Sequence, residues 1–265
     1  MRGVLVVLAA CLALAGCGSA GTPAVPASVS TAARPTTPSP DRPARRPLAG
    51  RVVVLDPGHQ LGNRNFPAEV RAPVDAGGFE KPCNTTGTQT DAGYPEATFT
   101  WHVAQDVRRL LRRQGARVVL TRTSNSASAW GPCVDRRGRF GNPGGPGPTA
   151  DLKLSIHADG TYTPGAHGFH VISAPGPLAD VDVALARAVR DAMVAGGFAT
   201  SSYVGVRGLV VRRDLGTLNW ARIPTVMIEC GNMRDPGDAA VLSSDRGQHR
   251  IARALAAAIA HDLER

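Results

Sequence analysis

The chain has 265 residues, 43% of them hydrophobic, so it can bury a full core, and its length allows one or two domains. Its formal net charge of +9 and pI near 10.2 point to anionic polymers or lipid headgroups as partners. No basic helix is interleaved with base-stacking aromatics, so nucleic acid is excluded as a partner. A plainer reading of the charge is a scatter of solubilising arginines, since Arg108, Arg109, Arg112 and Arg113 fall on the polar face of one helical pattern.

The first element is an export signal: Met1-Arg2 precedes an apolar run, Val4 to Ala15, that is short for a membrane span and ends in small residues. Leu14-Ala15-Gly16-Cys17 resembles a bacterial lipobox, so residues 1–17 are expected to be a lipoprotein signal with Cys17 as the lipidated residue. A lipid on Cys17 would anchor the protein at the outer face of the cytoplasmic membrane, next to the cell wall. Residues 18–50 are rich in Pro, Ala and Thr and are expected to be a disordered tether. In polyproline II geometry, at ~3.1 Å per residue, such a segment reaches on the order of 90 Å.

From residue 51 to 265 strand and helix patterns alternate. Strands are expected near 51–55, 117–121, 152–156, 168–173, 208–212 and 224–228, and helices near 96–113, 181–195 and 246–263. The helices rest on spacing: Val103, Val107, Leu110 and Leu111; Val181, Leu185, Ala188, Val189 and Ala192; Ile251, Leu255, Ala258 and Ile259. This order implies a single α/β domain with a mostly parallel twisted sheet and helices on both faces. The segment 60–95, rich in Gly, Asn and Thr, is expected to wall a groove or act as a lid.

Three polar residues each follow an apolar run: His59 after Val52 to Leu55, His157 after Leu152 to Ile156, and Glu229 after Val226 to Ile228. The carboxyl ends of strands in an open α/β sheet line one crevice, so these residues can converge. Two imidazoles with a carboxylate suggest a catalytic zinc. Among the acidic residues Glu69, Asp75, Glu80, Asp91, Glu96, Asp106, Asp135 and Asp151, we single out Glu96 as the further ligand. It follows Pro95 at a helix start, although a favourable helix N-terminus alone would also explain it. Asp56 and Asp159 are candidates to orient the imidazoles, or else turn-forming residues beside Pro57 and Gly160. Arg136, Arg137 and Arg139 could meet an acidic ligand, with a solvated charge run as the simpler reading. His102, His167, His170, His249 and His261 lack the strand-end position and read as surface or packing histidines.

Of five cysteines, Cys11 falls in the signal and Cys17 in the lipobox. Cys83 and Cys133 lie in Gly/Pro-rich loops and are expected to form a disulfide; the rival is free thiols or a thiolate metal site, without CxxC spacing. Cys230 is expected to be a core thiol pointing away from Glu229.

These residues resemble the zinc-dependent N-acetylmuramoyl-L-alanine amidases that cleave peptidoglycan. The resemblance runs from about residue 51 to 263. It is carried by Val54-Leu55-Asp56-Pro57-Gly58-His59, Pro95-Glu96, Gly115 to Arg122, Ser155-Ile156-His157-Ala158-Asp159 and Val226 to Asn232. Single-domain actinobacterial members share Gly93-Tyr94-Pro95-Glu96 and the contexts of Cys83 and Cys133. Asp159, where Asn is usual, and Cys230, where an apolar residue is usual, depart from the pattern. The resemblance implies one Zn²⁺ per chain on His59, Glu96 and His157, with Glu229 as general base and then acid. The bond cut is that between the lactyl group of N-acetylmuramic acid and L-alanine. Peptidoglycan or muramyl peptides are the implied substrate, and a monomer is expected. The alternatives are a zinc peptidase or deacetylase acting on another wall amide, and a non-catalytic wall-binding lipoprotein.

Overall fold

The run Val52-Val53-Val54-Leu55 favours extended backbone and forms the first strand, β1 (Val52–Pro57), of the computed structural model, which describes residues 46–265. The expected signal segment, Cys17 and the tether as far as residue 45 lie outside the described residues. Packing begins ahead of residue 51: Leu48 is buried, and its N–H donates to the Gln114 carbonyl at 3.0 Å.

After β1 come a 3-10 turn (Leu61–Asn65), α1 (Pro67–Arg71) and an antiparallel hairpin of β2 (Pro73–Asp75) and β3 (Glu80–Pro82). Then follow α2 (Glu96–Arg113), β4 (Arg117–Leu120), α3 (Val134–Arg139), β5 (Leu152–Asp159) and β6 (His170–Ser173). The chain continues through α4 (Ala179–Ala195), β7 (Leu209–Val211), α5 (Gly216–Asn219) and β8 (Thr225–Asn232) to α6 (Pro236–Leu242) and α7 (Asp245–Leu263). Among the described residues no helix is long and apolar enough to cross a membrane.

The main sheet has the order β4-β1-β5-β8-β6-β7. Its first four strands are parallel, β6 runs antiparallel to β8, and β7 follows β6 in parallel. This is the expected mostly parallel α/β sheet.

The two faces are covered unequally. On one, α2, α4 and α7 bury Phe99, Val103, Val107, Leu185, Val189, Ile251 and Leu255 against Val53, Leu55, Leu154, Ile156, Val226 and Ile228. Each such side chain contributes ~1.5–3 kcal/mol of burial. On the other face lie the small clusters of Ile172, Leu218 and Met227, and of Val54, Ala150 and Ile223, under short α3 and α5. Strand alternation sends Leu152, Leu154 and Ile156 to the large core and Lys153, Ser155 and His157 to the thin side.

Helix ends follow local chemistry. Pro95 in extended conformation precedes α2, and Gly115 at φ +100° closes it, a conformation that favours glycine. Ser244 caps α7 by accepting from the Gly247 N–H at 3.2 Å.

Candidate metal centre

The Pro57-Gly58 turn at the end of β1 delivers His59 to the carboxyl edge of the sheet. His157 sits near the end of β5, and Glu229 lies directly opposite it in the β5/β8 register. Paired strand residues share a face, so both side chains rise on the thin side. Glu96, first residue of α2, reaches the same point. One donor atom each from His59, Glu96 and His157 lies within 4.8 Å of the others.

Each side chain is held from behind. His59 Nδ1 is 2.9 Å from Asn84 Oδ1. Asn84 is itself fixed, since its Nδ2 donates to the Pro132 carbonyl at 2.8 Å and its Oδ1 accepts the Thr85 N–H at 2.8 Å. Nδ1–H therefore donates to Asn84, and Nε2 faces Glu96 Oε1 at 3.5 Å with its lone pair free. Glu96 Oε2 accepts the Thr88 N–H at 2.9 Å, and Oε1 accepts the Ala158 N–H at 3.2 Å. His157 Nδ1 stands 2.9 Å from Glu96 Oε1.

The electrostatics suit a cation. Burial pulls His59 down to about 4, outweighing the Glu96 charge, so the imidazole is neutral at ordinary pH. Burial would raise Glu96, but the imidazoles of His59 and His157 and the Thr88 N–H outweigh it and keep the carboxyl ionised. Burial pushes Glu229 well above its ordinary value, helped by the charges of Glu96 and Asp159 and opposed by Arg212. Two imidazoles and one carboxylate are a donor set that fits zinc and leaves a position open.

A cavity of about 210 Å³ opens on this cluster, lined by His59, Lys81, Asn84, Thr85, Arg137, His157, Leu215, Thr217, Met227 and Glu229. Lys81, Asn84 and Thr85 come from segment 60–95, which thus supplies a groove wall; it contains a 3-10 turn, a short helix and a hairpin. The Cys83–Cys133 disulfide lies behind that wall, and Cys230 is a free, buried cysteine.

Five of the other acidic candidates are engaged elsewhere. Asp75 accepts the Gly77 and Gly78 N–H groups, Asp91 pairs with Arg234, Asp106 with His249, Asp135 with Arg139, and Asp151 with Arg51.

Neither Asp56 nor Asp159 is hydrogen-bonded to His59 or His157. Asp56 is fully buried and accepts from Arg137, Thr121 and Ser155. Asp159 accepts from the Tyr203 hydroxyl at 2.8 Å.

Arg137 corrects the reading of residues 136–139 as a solvated run: it is 2% exposed, and its Nη2 is 2.9 Å from His157 Nε2. His170 is a packing histidine, one of the two readings its position allowed. It is buried opposite Glu229 in the β6/β8 ladder, and its Nδ1 has no partner among the described residues. Asn84 was not singled out from the sequence; its adjacency to Cys83 was the one local signal.

Residues 53–261 match the family model described as N-acetylmuramoyl-L-alanine amidase. An N-acetylmuramoyl-L-alanine amidase of Mycobacterium tuberculosis is 39% identical over 218 residues, covering 80% of this chain and 86% of that protein. The crystal structure of the N-acetylmuramyl-L-alanine amidase Ami1 from Mycobacterium smegmatis aligns with TM-score 0.76 and 38% identity, over 82% of this chain and 98% of the other. The apo form of Ami1 from Mycobacterium abscessus aligns with TM-score 0.75 and 38% identity, over 82% of this chain and all (100%) of the other.

Proposed function

The chain belongs to the N-acetylmuramoyl-L-alanine amidase family, and from that premise we propose how its own residues carry out the reaction. The enzyme is a peptidoglycan hydrolase that cuts the amide between the lactyl group of N-acetylmuramic acid and L-alanine of the stem peptide. The observation that carries the residue assignment is the placement of Glu229 opposite His157 in the β5/β8 register, beside three donors within 4.8 Å of one another.

His59, Glu96 and His157 would hold one Zn²⁺. When bound, the ion supplies Lewis-acid polarisation of the scissile carbonyl and makes water acidic enough to react near neutral pH. Glu229 takes a proton from the attacking water as its oxygen adds to the carbonyl carbon. It then delivers that proton to the alanine nitrogen as the C–N bond breaks. A carboxyl raised by burial and by neighbouring negative charge holds the transferred proton well enough to act as the acid in the second step. Asn84 orients the His59 imidazole from behind, accepting its Nδ1–H. Lys81, reaching the cavity from β3, faces an acidic stem peptide with a positive charge.

The finer organisation belongs to the same reading: residues 1–17 are a lipoprotein signal, Cys17 carries the lipid, residues 18–50 tether the domain, and residues 51–265 form the catalytic domain. The protein works as a monomer at the outer face of the cytoplasmic membrane. The run before Cys17 and the proline-rich segment after it support this.

The test is zinc content together with the products formed from a muramyl peptide, read by mass spectrometry. About one zinc per chain, with free peptide amine and intact sugar, is the expected result. A cut at another wall amide would replace this reading with the peptidase or deacetylase one, and a protein without zinc would remove the ligand assignment.

A further inference from the structure

Arg122 lies two residues beyond β4, at the carboxyl edge of the sheet, and is 4% exposed. Each of the five N–H donors of its guanidinium finds an acceptor. Nε donates to the Pro57 carbonyl at 3.0 Å, and Nη2 donates to the Ala97 carbonyl at 2.7 Å and the Thr100 hydroxyl at 3.4 Å. Nη1 donates to the Ser124 carbonyl at 2.6 Å and to Asn125 Oδ1 at 3.2 Å. The central carbon of the group stands 4.9 Å from the centroid of the Trp101 ring.

These acceptors belong to the two segments that present His59 and Glu96. Pro57 and Gly58 immediately precede His59, and Ala97 directly follows Glu96. The Thr100 hydroxyl, which accepts from Arg122, donates in turn to the Gly58 carbonyl. Both carbonyls ahead of His59 are thereby linked to the start of α2. Past His59, Gln60 Oε1 accepts the Ser126 N–H at 3.0 Å, and its Nε2 donates to the Ser124 carbonyl at 3.2 Å. Asn125 Nδ2 donates to Thr98 Oγ1 at 3.1 Å. The loop headed by Arg122 thus staples the turn after β1 to the first turn of α2.

On stability alone this is a poor place for a cation. Burial disfavours the charge, the nearby Arg137 adds to that, and Asp56, whose charge opposes both, is already forked by Arg137. Every acceptor on Arg122 is a carbonyl or a hydroxyl, whereas a buried charge is normally paired. The first turn of a helix also favours anions over cations. Departures of this kind are expected where function demands them. What a guanidinium adds is fixed spacing, because its donors lie in one rigid plane and set the separation of the groups they hold. We propose that Arg122 is a positioning residue for the metal centre: through Pro57, Thr100 and Ala97 it sets the spacing between His59 and Glu96. The inference rests on the reading of those two residues as metal ligands.

The experiment uses the full chain and two readouts: zinc affinity, by competition with a chromophoric chelator, and backbone hydrogen exchange in chelator-treated protein. In Arg122→Met zinc affinity should fall at least ~10-fold, the lower end of what partners behind metal ligands contribute. Amides of residues 58–60 and 96–100 should exchange faster, while those of α7 keep the parental rate. Arg122→Lys keeps the charge but has three donors in place of five, and its affinity should fall between. Thr100→Val, of the same shape, removes the link to Gly58 and should weaken zinc binding by a smaller factor.

A role in folding alone would lower the melting temperature of Arg122→Met yet leave the folded protein with parental zinc affinity, and that result overturns the proposal. Exchange that quickens equally in α7 would also overturn it, because the loss is then global. If Arg122→Met does not fold, Arg122→Lys and Thr100→Val decide by the same two readouts, and parental zinc affinity in both overturns it. A parent that binds no zinc would instead overturn the metal reading, while the exchange pattern would still judge whether Arg122 fixes the two segments.

Discussion

Gly58 has no room for a side chain because the His157 ring lies across it: a Cβ there would stand 1.9 Å from His157 Cε1. Gly58→Ala is therefore expected to displace the imidazole, weaken zinc binding by at least ~10-fold and cost about 1–3 kcal/mol as overpacking. Thermal melting and zinc titration check both effects. Parental zinc affinity in the variant would mean that the ring has freedom the packing does not suggest.

Glu229 is expected to trade stability for function. A carboxyl whose pKa is raised by folding keeps its proton better in the folded state. Its ionisation then costs nothing below the unfolded value of about 4.3 and lowers stability as pH climbs towards the raised folded value. Metal-free Glu229→Gln should thus melt higher than the parent at pH 7, with the gap closing near pH 4. Hydrolysis should drop ~10²–10⁴-fold. Retained turnover would refute its role, and equal melting at both pH values would refute the burial argument.

The Cys83–Cys133 disulfide closes a loop spanning a sequence separation of 50. For a loop of this size the constraint on the unfolded chain is worth ~4 kcal/mol. Reductant, or replacement of both cysteines by alanine, should lower the melting temperature and leave zinc content unchanged. A melting curve indifferent to reductant would show that the loops are held by other contacts.

Chelation should abolish hydrolysis and also lower the melting temperature, because a ligand at 100 times its Kd stabilises the folded state by about 2.7 kcal/mol. Zinc should restore both. Magnesium should restore neither, since a site with two imidazoles and one carboxylate mismatches its preference for oxygen donors. Full activity in chelator would remove the metal from the reaction.

The elements with long periodic patterns were legible in the sequence. The helices expected over 96–113, 181–195 and 246–263 appear as α2 (Glu96–Arg113), α4 (Ala179–Ala195) and α7 (Asp245–Leu263). Strands β5 and β8 run farther than expected, through Asp159 and Asn232. Hence His157 and Glu229 stand within ladders, which fixes their direction more firmly than a loop would. What escaped was non-local. Arg137 reads as one arginine in a charged run because nothing nearby reveals that Asp56, 81 positions earlier, will bury it. Lys153 sits inside an apolar run and finds its carbonyl partners on α3 only after the sheet has formed. Short α1, α3, α5 and α6 carry too few turns for a period to show.

The unequal covering of the sheet separates two inheritances along single strands. In β5 and β8 alternate residues answer to the three-helix core, while His157, Met227 and Glu229 on the opposite face line the cavity. The groove above the cavity is assembled from loops and short helices that contribute little to that core. Its outer residues, Lys81, Thr85 and Leu215 among them, can be exchanged to suit a different stem peptide while the scaffold keeps its folding energy. The same division makes the chain a natural recipient for grafted recognition loops, with Asn84, which holds His59, as a position such a graft has to leave in place.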